Sequence, residues 1–166
     1  MNVATKLEYV QNYAGEPAAV MAMLKDPEFV RLKCDKTGSR ETTATIEETA
    51  DGGCVITNTR VLPSKVPAAA AAFVGETLHV TEVQTRTGPA ADGSASADVT
   101  VDFGAPITYT AHMALAASAD GTVVETNGEF KAGIPFIGGM IESGALDQTT
   151  RYLEVEQVLG NEYLAK

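Results

Sequence analysis

Gln148 interrupts a line of otherwise apolar and aromatic residues: Ile141, Ala145, Tyr152, Val155 and Leu159. With Gln148 included, the spacing is 4, 3, 4, 3, 4, which places all six on one face of a helix. A buried amide must find a hydrogen-bond partner, and a protein group, a water or a ligand can each supply it. The same requirement singles out Tyr9, Tyr109, Thr126 and Tyr152, which fall on the inward parity of strands or on that helical line. Gln148 and Tyr109 together could orient one ligand oxygen. An internal hydrogen bond or a buried water would satisfy them without any ligand. Phe103, Met113 and Phe130 share the inward parity and supply an apolar wall.

Acid–base chemistry would need a titratable pair aimed into the same space, and the sequence displays none. His79 and His112 are 33 residues apart, lack an HxxxH or HExxH companion and fall on outward parity. Asp98, Asp102, Glu125 and Glu129 alternate with apolar residues and read as a solvated sheet face. Cys34 and Cys54, 20 residues apart, match neither a CxxC pair nor a zinc-ligand spacing. Two buried free thiols are the simple reading, and a Cys34–Cys54 disulfide the other. No nucleophile elbow, serine triad or phosphate loop is present, so no catalytic residue, metal or cofactor is assigned.

These groups need elements to position them. Val3–Tyr13 alternates as an amphipathic strand. Glu16–Leu24 and the stretch from Asp26-Pro27-Glu28 to Gly38 each carry helix-start signals, and predict two short helices. From Ser39 the period changes to two, with breaks at Asp51-Gly-Gly53, Gly88–Gly93, Gly104–Pro106 and Asp120-Gly121 that predict hairpins. Ser39–Ala50, Cys54–Arg60, Gly75–Arg86, Ser94–Phe103, Ile107–Ala117 and Thr122–Lys131 are the strands. Gly75–Arg86 turns inward at Leu78 and Val80 and loses its alternation beyond them, which predicts a bulge at its far end. Val61–Val74, with Pro63, Pro67 and an alanine run, predicts a loop with one helical turn over an opening. The final segment, from Ile134 to about Leu159, is one long helix.

The chain has 166 residues, enough for one core without a metal or disulfide, and is expected to form one domain over 1–166. With 12 Lys+Arg against 22 Asp+Glu, its net charge is −10, which argues against a nucleic-acid or anionic-membrane surface. The longest apolar run, Val66–Val74, is too short for an integral membrane segment, and Met1–Val10 does not read as a signal peptide. A cytoplasmic protein is the resulting expectation.

One strand, two short helices, an antiparallel meander and a terminal helix is an order that resembles the helix-grip fold of the START-like or SRPBCC superfamily, which includes the birch-pollen-allergen-like proteins. Leu7-Glu-Tyr9, Asp26-Pro27, Phe29, Phe73-Val-Gly75, Ile134-Pro-Phe-Ile-Gly-Gly139 and Glu142 are similar to an uncharacterised bacterial family within it, the domain of unknown function 2505. The resemblance implies an α+β fold in which a curved antiparallel sheet of six to seven strands wraps on a long C-terminal helix. It also implies a cavity between the two, but no established reaction or catalytic residue. Superfamily relatives mostly bind lipids, sterols, polyketides or hormones, and a minority catalyse cyclisation or related chemistry.

The small inward residues Ala95, Ala97, Ala111, Gly128 and Ala145 allow such a cavity, or a closely packed interface between helix and sheet. The first expectation is binding of an apolar or amphipathic small molecule, lipid-like or polyketide-like. Phe103, Met113 and Phe130 would form its wall, and Tyr109, Thr126, Gln148 and Tyr152 its polar contacts. Val61–Val74 and Gly88–Gly93 would guard the mouth. The alternatives are a cavity enzyme of cyclase or hydrolase type, and a ligand-free module that meets a protein through the acidic sheet face.

Overall fold

The computed structural model describes residues 4–65 and 68–166. Val3, at the start of the expected first strand, and Val66 and Pro67, in the expected loop, lie outside the described residues. The elements in chain order are β1 (Thr5–Tyr13), α1 (Pro17–Leu24), α2 (Pro27–Lys36), β2 (Arg40–Glu48), β3 (Cys54–Pro63), α3 (Ala68–Val74), β4 (Thr77–Arg86), β5 (Ala95–Asp102), β6 (Ile107–Ser118), β7 (Gly121–Ala132) and α4 (Gly138–Leu164). The fold is the α+β arrangement expected from the sequence, with two short helices after the first strand and one long helix at the end.

Proline and acidic residues start the short helices where their chemistry suits a helix N-terminus. Pro27 occupies the first turn of α2, and Asp26 Oδ1 accepts the Glu28 N–H at 2.9 Å as the N-cap. The seven strands form one antiparallel sheet in the order β1-β7-β6-β5-β4-β3-β2. Strands β2 to β7 follow in sequence. The α1–α2 pair carries the chain from β1, beside β7, to β2 at the opposite edge.

Strand parity decides what faces α4. Ala97, Val99 and Val101 on β5, Ile107, Tyr109, Met113 and Leu115 on β6, and Val124, Thr126 and Phe130 on β7 are buried, while Asp98, Asp102, His112, Glu125 and Glu129 are exposed. His79 is exposed as well. Both cysteines are buried and free.

Three local expectations are corrected. Strand β4 has no bulge at its far end: it pairs with β3 without interruption from Pro63↔Thr77 to Cys54↔Arg86. Its alternation continues with polar residues, so Glu82 and Gln84 point inward where apolar side chains would be looked for. The register shift lies instead in β2, between Arg40 and Thr43, where Glu41 has φ 53°. Between β3 and β4, the expected single helical turn is the seven-residue helix α3, which buries Ala70 and Val74.

Along α4 the deepest line is offset by one residue from the apolar one. Glu142, Leu146, Thr149, Leu153, Glu156 and Gly160 repeat the 4, 3, 4, 3, 4 spacing, and Glu142, Leu153, Glu156 and Gly160 are buried. The apolar line one residue earlier is only half-buried beyond Ile141, because its middle borders open space.

Strand β1 fastens this helix to the sheet. Its outer-edge Asn12 N–H and Ala14 N–H donate to Gln157 Oε1 and Asn161 Oδ1, both at 2.8 Å. Asn161 Nδ2 returns a bond to the Asn12 carbonyl at 3.1 Å. These side chains satisfy edge groups that would otherwise be open to another strand. Glu142 does the same at the other end of the helix, accepting from Thr5 Oγ1 and from the Ala132 N–H, each at 2.8 Å.

Candidate functional site

Between the inner sheet face and α4 lies a cavity of about 180 Å³. Strands β5 and β6 give it Val99, Val101, Ile107 and Met113, with Phe103 just beyond β5, and α4 adds Ile141 and Ala145. Strands β3 and β4 give it Arg60, Glu82 and Gln84, facing Gln148, Tyr152 and Glu156 on the helix. Val74 of α3 and Lys65 before it complete the lining on the side of the β3–β4 connection. The charged lining groups are thus gathered on β3, β4, their connection and the facing part of α4, beside Leu62 and Leu78, while the β5–β6 side is apolar apart from Tyr109.

Six of the seven residues expected at the site, Phe103, Tyr109, Met113, Thr126, Gln148 and Tyr152, line this cavity. Phe130 does not. Its fully buried ring stacks against Tyr109 at 4.3 Å between centroids and supports that ring from behind. Tyr9 is half-buried and packs at the margin of the core. The Gly88–Gly93 turn contributes nothing to the lining; Gly93 stands against Pro17 at the start of α1. Among the small inward residues, Ala145 borders the cavity and Gly128 makes room for Tyr109.

Gly128 predicts a specific sensitivity. A Cβ there would lie 2.7 Å from Tyr109 Cε1 and 2.9 Å from the Thr110 carbonyl oxygen. Phe130 blocks retreat of the ring on one side, so Gly128→Ala must displace Tyr109. The expected result is a loss of about 1–3 kcal/mol in urea unfolding, with an altered tyrosine signal in near-UV circular dichroism. An unchanged spectrum at wild-type stability would contradict this role for Gly128.

Two of the polar lining groups have unmet hydrogen-bonding capacity. Thr126 Oγ1 is buried and has no partner, and the half-buried Gln148 side chain has no protein hydrogen-bond partner among the described residues. An unsatisfied buried polar group costs about 1–3 kcal/mol, which an occupant of the cavity would relieve at Thr126, and the Gln148 amide is free to bond the same occupant.

The charged groups here were not found by the sequence reading, which saw no titratable pair aimed inward. Arg60 donates to Asn58 Oδ1 through Nη1 and to Glu82 Oε1 through Nη2, the latter at 3.4 Å. Gln84 Nε2 donates to Glu82 Oε2 at 2.6 Å, and Arg86 Nε to Gln84 Oε1 at 3.0 Å. The Arg60 guanidinium lies 5.5 Å from the Tyr152 ring centre, within cation–π range. Burial works against the Arg60 charge, but the attraction and hydrogen bond of Glu82 raise its affinity for the proton. Burial also pushes the Tyr152, Tyr109 and Cys34 groups above their ordinary values, keeping all three protonated at neutral pH.

Deeper still, Lys33 of α2 forms a buried ion pair with Glu156 of α4. Gln11 Nε2 donates to Glu156 Oε1 at 2.8 Å and to the Leu153 carbonyl at 2.9 Å. Burial opposes the Glu156 charge; Lys33, the Gln11 hydrogen bond and Arg86 outweigh it and hold the carboxyl below its ordinary value.

Inward parity was the signal that could have found most of these groups. Asn58 and Arg60 continue the parity of Cys54 and Ile56, and Glu82 and Gln84 that of Leu78 and Val80. Lys33 sits four residues after Phe29 on the buried face of α2, while Leu32 is exposed.

A seven-stranded antiparallel sheet packed against a long C-terminal helix over a cavity is the helix-grip fold. Solved structures with this fold include TTHA0849 from Thermus thermophilus, 13% identical at a TM-score of 0.63, with 98% of this chain and 97% of that one covered. The Zhui aromatase/cyclase from Streptomyces sp. R1128 is 12% identical at a TM-score of 0.61, covering 98% and 94%. A STAR-related lipid transfer protein from Xanthomonas axonopodis is 12% identical at a TM-score of 0.60, covering 97% and 86%. Residues 8–164 match the family described as protein of unknown function (DUF2505), and the chain belongs to that family. No curated protein matches it in sequence. Among the described residues, no helix is long and apolar enough to cross a membrane.

Proposed function

We propose that residues 1–166 act as one domain that binds a small amphipathic molecule between the sheet and α4. The observation that carries this reading is the two-sided cavity, in which Thr126 and Gln148 hold unused hydrogen-bonding capacity. The apolar body would lie against Phe103, Met113 and Ile141, where its burial contributes about 25 cal/mol per Å². Gln148, Tyr109 and Tyr152 would orient the polar end. A lipid transfer protein and an aromatase/cyclase among the structural neighbours are compatible with a ligand of this general kind.

The volume limits what fits without rearrangement. At about 180 Å³ the cavity is smaller than the roughly 300–1,000 Å³ usual for sites that hold drug-sized ligands. A single ring or a short acyl chain fits as it stands. A larger lipid-like or polyketide-like molecule requires α3 to move outward, since Val74 forms part of the wall.

A second reading, a cavity enzyme of cyclase type, draws on Glu82 and Glu156, which both border the cavity. Each is already engaged: Glu82 by Arg60 and Gln84, and Glu156 by Lys33 and Gln11. A carboxylate held below its ordinary proton affinity, as Glu156 is, makes a poor general base at neutral pH. Binding is therefore the better-supported reading.

Native mass spectrometry of protein purified from its own host tests it. The expected result is a discrete mass excess that denaturing extraction converts into a free compound of amphipathic character. A clean apo mass, together with no saturable uptake of any small amphiphile, would count against it.

A further inference from the structure

Three cations and two carboxylates converge around the polar side of the cavity. Lys33, Arg60 and Arg86 carry the positive charges, and Glu82 and Glu156 the negative ones. Lys33 is paired with Glu156, and Arg60 with Glu82. Arg86, half-buried, bonds only neutral groups among the described residues: Gln84 Oε1 at 3.0 Å and Met113 Sδ at 3.9 Å. Nearby groups that could add negative charge do not, because burial keeps Tyr13, Tyr109, Tyr152 and Cys34 protonated. The other buried carboxylate, Glu142, lies fourteen residues earlier on α4, about 21 Å along the helix axis, and is engaged by Thr5 and the Ala132 N–H.

The cluster thus carries three positive charges against two negative ones, and Arg86, attracted by Glu156 and Glu82 without bonding either, leaves the polar side net positive. Arg60 also has donors to spare, since its bonds to Asn58 and Glu82 use two of the five N–H hydrogens of a guanidinium. Two more cations, Lys65 and Arg151, are exposed where they border the cavity. In a chain of net charge −10, a cavity lined by Arg60, Lys65 and Arg151 against Glu82 and Glu156 is a local reversal of sign that attracts anions.

We infer that the ligand is a monoanion, a small carboxylic acid with an apolar body, whose carboxylate lies against Arg60 between Gln148 and Tyr152. This rests on the ligand-binding reading above. A planar carboxylate matches the guanidinium fork, which favours it over a single-point anion. The apolar body then extends toward Phe103 and Met113 on the β5–β6 side.

Isothermal titration calorimetry with probes that share a body and differ in head group tests the inference: octanoate, octanol and octylamine, then phenylpropanoate and phenylpropanol. Each acid is expected to bind about tenfold or more tightly than its alcohol, octylamine not measurably, and the preference to shrink with added salt. Glu82→Gln, which removes a negative charge at nearly constant shape, should raise the acid-to-alcohol ratio about threefold or more. Arg60→Lys, which keeps the charge and loses the fork, should lower it. If a variant does not fold, the comparison on the unmodified protein decides alone. Alcohols binding as tightly as acids would overturn the anionic head group and leave ligand binding standing. Failure of every probe, with a clean apo mass from the host, would overturn both.

Discussion

Gly144→Leu is expected to lower the affinity for a cavity ligand such as octanoate at least about tenfold while raising the melting temperature by about 2–3 °C. Gly144 lies in the interior of α4 and borders the cavity, and a Cβ built there meets nothing within 4 Å. No packing is therefore disturbed when a side chain is added. A helix-interior glycine costs about 1 kcal/mol relative to a good helix former, so leucine gains most of that. Helical side chains lean toward the N-terminus, which directs the leucine toward Met140 and Ile141, two other lining residues. It would occupy ligand space in a cavity of only about 180 Å³. Calorimetry with octanoate and a thermal melt on the same sample read both effects. Unchanged affinity, or lost stability, would show that Gly144 is not kept for the room it leaves.

Lys33→Met is expected to destabilise the protein by about 3–5 kcal/mol, lowering the melting temperature by roughly 6–20 °C. Lys33 and Glu156 are 2% and 3% exposed, so removing the ammonium leaves a core carboxylate that keeps only neutral hydrogen-bond partners, Gln11 and Tyr13, with Arg86 as a cation that attracts it without bonding it. Lys33→Met combined with Glu156→Leu should recover most of the loss, because the buried charge goes with its partner. The pair also sets an acid limit. Glu156 has a lower proton affinity in the folded state than its ordinary value of 4.5, so its contribution is fully present above that value and is lost as pH falls through the folded one. Urea unfolding of the unmodified protein should show this loss below about pH 4.5, and the double variant should lack that component. A single Lys33→Met variant within about 1 kcal/mol of the unmodified protein would refute the account.

The fold was legible because period-two alternation and turn residues agree with each other along most of the chain. Ala95 to Phe103 and Ile107 to Leu115 place every inward residue correctly, and all four expected turns connect neighbouring strands. The apolar part of the candidate site followed from the same parity. What stayed hidden were buried polar residues, since hydropathy treats Arg60, Glu82 and Gln84 as surface groups until their partners are known. In β4 that led a regular strand to be read as an irregular one. In α4 it led the apolar line to be taken for the deepest one, although Glu142 and Glu156 lie deeper. Their burial is stabilised by Thr5, Lys33 and Gln11, residues 123 to 145 positions away, which no local window contains.

The pairing of β1 with β7 also governs the order in which the molecule can be assembled. During synthesis, the first strand must wait more than a hundred residues for its neighbour, and the helix that caps the cavity emerges after that. Until then the apolar inner face of the β2–β7 meander lacks α4, and α1 and α2 are available to cover only part of it. Hairpins formed by adjacent strands can condense early, because closing short loops costs little entropy. The closing steps are docking β1 on β7, across 109 to 125 residues, and then hooking Gln157 and Asn161 onto Asn12 and Ala14, across 145 and 147. High contact order of this kind slows folding and lengthens exposure to aggregation. The hooks that blunt the β1 edge in the finished protein are thus among the last protections a nascent chain acquires.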